Sequence, residues 1–183
     1  LPENSCSASV LPVRSVGVQG DQRTYSPPAV LWETPEDWNW LEEHSIRITN
    51  SVREINRVVL LLSPATLPPL KIRKAYCTRE RLDLLRQADA IATKTLMEHD
   101  LMRDIFQLLV ILLPISEDGN GDSIVLRPVC SEDVMTAQFA RLDWDLLNSL
   151  KQSLSNLPGI DGVFYDITHC LLYTSDAADD WSS

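Results

Sequence analysis

The residues best suited to chemistry form one polar turn near the start of the chain. Arg14 precedes the segment Gln19–Arg23, which reads Gln-Gly-Asp-Gln-Arg. A glycine in a turn lets the backbone approach a ligand, and aspartate and arginine side chains bind hydroxyl and phosphate groups. The pattern therefore indicates a candidate ligand-binding turn. The same residues also fit a hairpin turn that only carries exposed charges.

The rest of the sequence shows no complete active site. It contains no GxxxxGK[ST] phosphate loop, no GxGxxG turn and no GxSxG nucleophile motif. The histidines share no metal-ligand spacing, and the cysteines form no CxxC pair. These residues are His44, His99, His169, Cys6, Cys77, Cys130 and Cys170. Scattered thiols without a secretory signal favour a cytoplasmic location and buried or idle cysteines.

The composition indicates an ordinary globular protein. The chain has 183 residues, of which 44% are hydrophobic and 23% charged, and its net charge is -10. This apolar content excludes a disordered chain, and the acidic balance argues against nucleic acid as the main partner. The longest apolar runs, Val58–Leu62 and Leu108–Leu113, are far shorter than a membrane span, so no membrane association is expected.

Two stretches of alternating strands and helices are predicted, joined by a proline-rich linker over Pro64–Lys74. A first helix is predicted to start at the cap Thr34, with Pro35 in its first turn. A second helix is predicted from the cap Thr78 to His99. The strands expected before and after these helices are Val10–Val18, Thr24–Trp32, Arg57–Ser63, Gln107–Ile115, Ser123–Val129 and Ile160–Thr168.

The two stretches repeat the same order of elements at nearly constant offsets of about 100 residues, which is typical of a duplicated subdomain. Gly20-Asp21 corresponds to Gly121-Asp122, and Asn56-Arg57 corresponds to Asp161-Gly162. We therefore predict an α+β fold of two tandem small α/β sandwich subdomains. Each has a three-stranded sheet with helices on one face, and the first copy is truncated at its N-terminus. The predicted boundaries are 1–63 for the first subdomain, 64–77 for the linker and 78–169 for the second subdomain.

The last residues, 170–183, are unlike the rest of the chain. The segment Cys-Leu-Leu-Tyr-Thr-Ser-Asp-Ala-Ala-Asp, from Cys170 onward, resembles the translation of a sequencing adapter, so we expect an artefactual tail. A natural polar tail is the alternative. The chain also starts without methionine, and we expect a fragment of a longer protein.

Four segments resemble the C-terminal domain of the glutamine-hydrolysing GMP synthases. Leu11–Tyr25 resembles the VGVxGD region of the family. Arg127–Ala137 resembles its R-x-V-x-x-x-D-F-M-T-A segment, and Gly159–Thr168 resembles its closing strand. Leu82–Ala90 resembles its L-R-x-A-D helix. More than 80 residues separate the first two of these motifs here, which resembles the long, eukaryotic-type enzymes with a duplicated C-terminal subdomain.

The resemblance implies a function. The family converts XMP to GMP with ATP and with ammonia released from glutamine, and its C-terminal domain helps to bind XMP. Asp21, Arg23 and Gln107 match XMP-contacting positions of the family, and an arginine suits a phosphate group. No cofactor is expected on this chain, because ATP and Mg belong to an upstream pyrophosphatase domain, the expected partner. The duplication implies a monomer, since it replaces the contact between two subunits of the short forms.

The sequence also departs from the family. The closing K-P-P-x-T-[IT]-E-W-E motif should begin at His169 or Cys170, and the adapter-like tail stands in its place. Gly162 occupies a position where the family often has arginine. We therefore expect the chain to be inactive alone. The alternative interpretation is a non-catalytic α+β interaction or assembly module, without nucleotide contacts through Asp21, Arg23 and Gln107.

Overall fold

The computed structural model describes residues 6–19, 22–131 and 137–168. Within these ranges the chain forms eleven strands, three α-helices and a short 3₁₀ helix, Leu101–Arg103. The helices are α1 (Trp38–Ser51), α2 (Arg79–Glu98) and α3 (Trp144–Ser155). The strands are β1 (Ser7–Val10), β2 (Ser15–Gln19), β3 (Gln22–Ser26), β4 (Ala29–Trp32), β5 (Val58–Ser63), β6 (Lys71–Ile72), β7 (Gln107–Leu113), β8 (Ile115–Ser116), β9 (Asp122–Ser131), β10 (Ala137–Phe139) and β11 (Ile160–Asp166).

The start of α1 corrects a prediction from the sequence. The helix is capped by Asp37 and not by Thr34. Asp37 has an extended backbone, and its carboxylate accepts hydrogen bonds from the amides of Asn39 and Trp40. These amides belong to the first turn of the helix, where backbone donors have no partner within the helix. Asp37 satisfies two of them, so the helix begins directly after it.

The second helix follows its prediction closely. Thr78 caps α2, and its hydroxyl accepts a hydrogen bond from the amide of Arg81. Ala88, Ala92 and Leu96 are fully buried at intervals of four residues, which is the spacing of one helix face. The cap and the apolar stripe therefore fix both the start of α2 and the side that packs on the sheet.

Two expected strands are each divided in two. The region Val10–Val18 contains the end of β1 and most of β2, separated by the buried residue Leu11 and by Pro12. The region Thr24–Trp32 contains parts of β3 and β4, separated by Pro27 and Pro28. A proline has no backbone amide to donate to a strand partner, so each of these segments ends its strand pairing. β2 and β3 consequently leave the main sheet and form a separate antiparallel hairpin.

One mixed sheet runs through both halves of the chain. Its strand order is β1-β4-β5-β11-β9-β10, and β7 also pairs with β9. β4 lies parallel to β5, and β9 lies parallel to β11, while β5 and β11 meet in antiparallel orientation at the centre. The strands of the two halves therefore share a single sheet, where the sequence predicted a three-stranded sheet in each half. The duplication and the domain boundaries remain predictions.

The two faces of the sheet are covered differently. Helices α1, α2 and α3 contribute to a large apolar cluster on one face, around residues such as Leu60, Leu126 and Tyr165. The other face carries a smaller cluster that includes Val59 and Phe164 and packs against the expected linker. Within that linker, β6 pairs with β8. Among the described residues, no helix has both the length and the apolar composition needed to cross a lipid bilayer.

Candidate anion-binding site

Of the three site residues predicted from the sequence, the structure describes Gln107 fully and Arg23 only in its backbone. Asp21 lies outside the described residues. The backbone of Arg23 lies in β3, opposite Val18 of β2, whereas its side chain is outside the description. Gln107 is the exposed first residue of β7 and pairs with Val129 of β9. The hairpin turn and Gln107 therefore come from different halves of the chain.

The β2–β3 hairpin is fixed to the start of β5 by polar contacts. The hydroxyl of Ser15 donates to Oδ1 of Asn56 at 2.6 Å, and Nδ2 of Asn56 donates to the carbonyl of Ser15 at 3.0 Å. Nη2 of Arg57 donates to the carbonyl of Val16 at 2.8 Å. Gly17 lies against Asn56 so closely that a β-carbon there would be 2.7 Å from the Asn56 β-carbon. These contacts set the position of the hairpin that carries Arg23.

Arg57 also takes part in a charged cluster with Asp166 and Arg127. Nη1 of Arg57 donates to Oδ2 of Asp166 at 2.6 Å, and Nε of Arg127 lies 3.6 Å from the same oxygen. The Asp166 side chain is 1% exposed, whereas Arg57 and Arg127 are 18% and 15% exposed. Two guanidinium groups therefore share one buried carboxylate, and one of them also contacts the hairpin.

The alternation of strands explains why these charges meet. Successive side chains of a strand point to opposite faces, so Arg57 lies on the same face as Val59, and Asp166 lies on the same face as Phe164. Val59 and Phe164 belong to the smaller apolar cluster on the face opposite the helices. Arg127 shares that face because it stands two residues after Val125, which belongs to the same cluster. The charged cluster therefore lies on the face where the hairpin docks.

Gln107 lies near the same end of the sheet. Arg127 pairs with Leu109, and Gln107 stands two residues before Leu109 in the same strand. Asp166 lies two strands away, one residue beyond the pair Tyr165–Leu126. Two strand spacings and two residues of rise place the Cα atoms of Gln107 and Asp166 about 12 Å apart. A small molecule with a phosphate at one end and a ring at the other could span that distance.

Two ionisable side chains on the strands of the cluster, Tyr165 and Cys130, have raised pKa values. Tyr165 is buried beside Asp166, and burial raises its pKa well above its ordinary value, so its hydroxyl stays protonated and donates to the carbonyl of Ala140 at 2.6 Å. Burial, and then the charge of Asp104, raise the pKa of the Cys130 thiol. Within the described ranges, no group of histidine, cysteine or carboxylate side chains could hold a metal ion. The two arginines make the cluster a candidate site for an anion, because guanidinium groups donate well to anionic oxygens.

Sequence reasoning missed Arg57, Arg127 and Asp166 as site residues. Each lies next to apolar residues of a buried strand, and a charged residue there needs a partner because burial of an unpaired charge is costly. A charged residue next to apolar residues is visible in the sequence at each of these three positions. This pattern could not reveal that the three residues are partners, because Arg57 and Asp166 are 109 residues apart.

A second charged cluster lies at the start of β9 and has a structural explanation. Arg73 and Arg81 both contact Asp122, whose side chain is 4% exposed. Arg81 also donates to the carbonyl of Tyr76, and Arg73 donates to the carbonyl of Gly121. The cluster therefore joins the region after β6 and the first turn of α2 to the start of β9.

Comparison with known proteins assigns the chain to a protein family. Residues 94–171 match the model of the GMP synthase C terminal domain. A protein of Leptospira interrogans described as a probable glutamine-hydrolysing GMP synthase is 37% identical over 169 residues, which is 91% of this chain and 28% of that protein. The chain is homologous to the GMP synthases.

Other GMP synthases agree with this relationship. The enzyme of Streptomyces coelicolor is 36% identical over 78% of this chain and 29% of its own length. The enzyme of Bifidobacterium longum is 46% identical over 71% of this chain and 26% of its own length. The chain thus spans between a quarter and a third of these GMP synthases. The matched domain contains Gln107, Arg127 and Asp166, whereas the hairpin and Arg57 precede it.

Proposed function

We propose that this chain is the C-terminal part of a GMP synthase and binds XMP, the nucleotide that the enzyme converts to GMP. The observation that carries the proposal is the cluster of Arg57 and Arg127 around Asp166, beside the hairpin of Arg23. A pair of arginines suits a phosphate group, because guanidinium groups form paired, charge-assisted hydrogen bonds to phosphate oxygens. The homology to GMP synthases makes XMP the natural ligand to test.

The proposed roles follow from the family resemblance and from the chemistry of each side chain. Arg23 binds the phosphate, and Arg57 and Arg127 provide further donors to the same group. Asp21 accepts a hydrogen bond from a ribose hydroxyl or orients Arg23. Gln107 binds the nucleotide from the opposite side of the site, where its amide both donates and accepts hydrogen bonds. Each group binds and orients XMP, and the bond-forming steps belong to other parts of the enzyme.

The wider setting of the chain is also part of the proposal. ATP, Mg and glutamine are used by the pyrophosphatase and glutaminase domains of the whole enzyme, so we expect no GMP synthesis by these 183 residues alone. The repeated order of elements is a duplication of the long, eukaryotic-type form. Because the duplication replaces the contact between two subunits of the short forms, we propose a monomeric enzyme, and its scattered thiols favour the cytoplasm. Residues 170–183 are proposed to be an adapter-derived tail.

Calorimetric titration of the chain with XMP tests the proposal. Replacing Arg23 with alanine removes a charged hydrogen bond, which is worth roughly 1.5–3 kcal/mol. We therefore expect Arg23→Ala to weaken XMP binding by roughly 10- to 150-fold. Arg47, which is exposed on α1 on the helical side of the sheet, provides the matched control. Arg47→Ala removes the same charge from the chain and should leave XMP binding unchanged.

Two results would contradict the proposal. If wild-type protein does not bind XMP, or if both substitutions weaken binding equally, the hairpin is not a nucleotide site. The alternative, an interaction or assembly module, has one observation in its favour. Phe106, Leu109 and Ile111 are partly exposed apolar residues in and next to β7, at 60%, 37% and 37% exposure. An equal loss of XMP affinity in Arg23→Ala and Arg47→Ala would favour an interaction module that uses this apolar surface.

A further inference from the structure

Asp166 is among the most deeply buried charged groups in the described part of the chain, and it touches both candidate phosphate-binding arginines. Its Oδ2 accepts from Nη1 of Arg57 at 2.6 Å and lies 3.6 Å from Nε of Arg127. Its Oδ1 accepts from the backbone amide of Thr168 at 3.0 Å. Both carboxylate oxygens therefore have partners, and the side chain has a fixed orientation.

The contacts of Asp166 reach the hairpin through Arg57. The guanidinium of Arg57 places Nη1 on Asp166 and Nη2 on the carbonyl of Val16 at 2.8 Å. Asp166 belongs to β11 in the second half, whereas Val16 belongs to the hairpin in the first half. One planar side chain thus connects the two, and the hairpin it holds is the one that carries Arg23. Loss of the carboxylate would leave Arg57 free to adopt other rotamers.

The charge of Asp166 and its position should have opposite effects on the affinity for an anion. The carboxylate cancels one of the two positive charges, so by charge alone it lowers the attraction for an anion. It also allows Arg57 and Arg127 to lie close together, since two guanidinium groups repel each other without a shared counter-ion. Charge and position therefore predict opposite outcomes when Asp166 is neutralised, and an experiment can separate them.

We propose that Asp166 is a positioning residue for the nucleotide phosphate, acting through Arg57 and Arg127. This inference rests on the proposed function. Asp166 does not touch the ligand. It orients Arg57 and Arg127 so that both can donate to one phosphate, and through Arg57 it also holds the hairpin whose backbone includes Arg23. Asp166 thereby defines where a phosphate binds, although its negative charge weakens the general attraction of the site for anions.

The test compares XMP with xanthosine, which has the same base and ribose and no phosphate. Affinities for both are measured by NMR titration of the wild-type chain, of Asp166→Asn and of Asp161→Asn. Asp161 is an exposed residue of the same strand and serves as the control, because its replacement removes the same charge. We expect Asp166→Asn to weaken XMP binding at least tenfold and to change xanthosine binding less than twofold. Asp161→Asn should change neither.

Several outcomes would overturn the inference. Tighter or unchanged XMP binding by Asp166→Asn would mean that charge outweighs position. Equal losses for XMP and xanthosine would mean that Asp166 only supports the fold. If the wild-type chain does not distinguish XMP from xanthosine, the proposed function fails before this inference is reached.

A second variant keeps the test decisive if Asp166→Asn does not fold. Arg57→Lys retains the positive charge, but a single ammonium group cannot occupy both positions of the Arg57 fork, on Asp166 and on the Val16 carbonyl. The positioning role predicts the same selective loss for this variant, with XMP weakened at least tenfold and xanthosine nearly unchanged. An unaltered preference for XMP over xanthosine in Arg57→Lys would overturn it.

Discussion

Replacing Gly17 with alanine should detach the hairpin from the start of β5. The new β-carbon would lie 2.7 Å from Cβ, 2.8 Å from Nδ2 and 2.9 Å from Cγ of Asn56. Asn56 is 3% exposed and forms two hydrogen bonds with Ser15, so it has little freedom to move away. The substitution therefore forces either the asparagine or the hairpin backbone to shift.

The cost follows from these contacts. Loss of the two hydrogen bonds between Ser15 and Asn56 costs about 1 kcal/mol each, and insertion of a methyl group into a tight contact costs about 1 kcal/mol more. We therefore expect Gly17→Ala to lower the free energy of unfolding by about 3 kcal/mol, measured by urea denaturation with fluorescence and circular dichroism. XMP binding should weaken in the same protein, because the hairpin carries Arg23.

Gly121→Ala is the matched control. A β-carbon at Gly121 would also collide with a neighbour, the carboxylate of Asp161. Asp161 is exposed, however, and its carboxylate is the end of a side chain that can rotate into solvent. We expect Gly121→Ala to lower the free energy of unfolding by less than about 1 kcal/mol. If the two alanine variants lose equal stability, the hairpin is not held by Asn56 in the way described.

The remaining predictions concern buried and exposed polar groups. Tyr165→Phe leaves the buried carbonyl of Ala140 without its 2.6 Å donor and should lower the free energy of unfolding by about 1–3 kcal/mol in urea denaturation. Hydrogen bonds from the backbone amide and then the side chain of Asn120 lower the pKa of Asp118 from 3.8 to about 2. The Asn120 amide shift in NMR should therefore titrate near pH 2, with the turn intact above pH 4 and loosened as the pH falls through about 2. Cys130, whose pKa is raised, should react with a thiol reagent far more slowly than the exposed cysteines in a peptide-mapping experiment.

Each of these has a contrary result. A Tyr165→Phe protein as stable as wild type would mean that the hydroxyl contributes nothing to the contact between β11 and the region after β10. An Asn120 amide that titrates near pH 4 would mean that the carboxylate of Asp118 does not hold the turn. Equal labelling rates for Cys130 and Cys77 would mean that burial does not protect the Cys130 thiol.

Local signals in the sequence predicted most elements of the fold. The cap of α2 depends on residues within a few positions of one another, so the sequence predicts its start at Thr78 and its end at His99 correctly. The predicted start of α1 was wrong. Thr34 and Asp37 are both good capping residues, and the sequence alone does not decide between them. Pro12, Pro27 and Pro28 are evident in the sequence, but their effect in separating a hairpin from the sheet depends on distant partners.

The candidate site was less predictable because its charges come from separate strands. Arg57 and Asp166 belong to β5 and β11, which are neighbours only because the two halves meet at the centre of one sheet. The expectation of a separate sheet in each half gave no reason to bring these strands together. Family resemblance supplied Asp21, Arg23 and Gln107, and the sheet added Arg57 and Arg127, which are partly exposed beside the buried Asp166.

The most direct test of the central claim is an NMR titration that follows the arginine side chains as XMP is added. Labelling with ¹⁵N makes the Nε–H groups of Arg23, Arg57 and Arg127 visible, and Arg47 serves as a reference on the helical side. We expect XMP to shift the signals of the first three and to leave Arg47 unchanged, while xanthosine shifts them far less. Saturable shifts confined to other residues, or equal shifts from XMP and xanthosine, would contradict a phosphate site at this cluster.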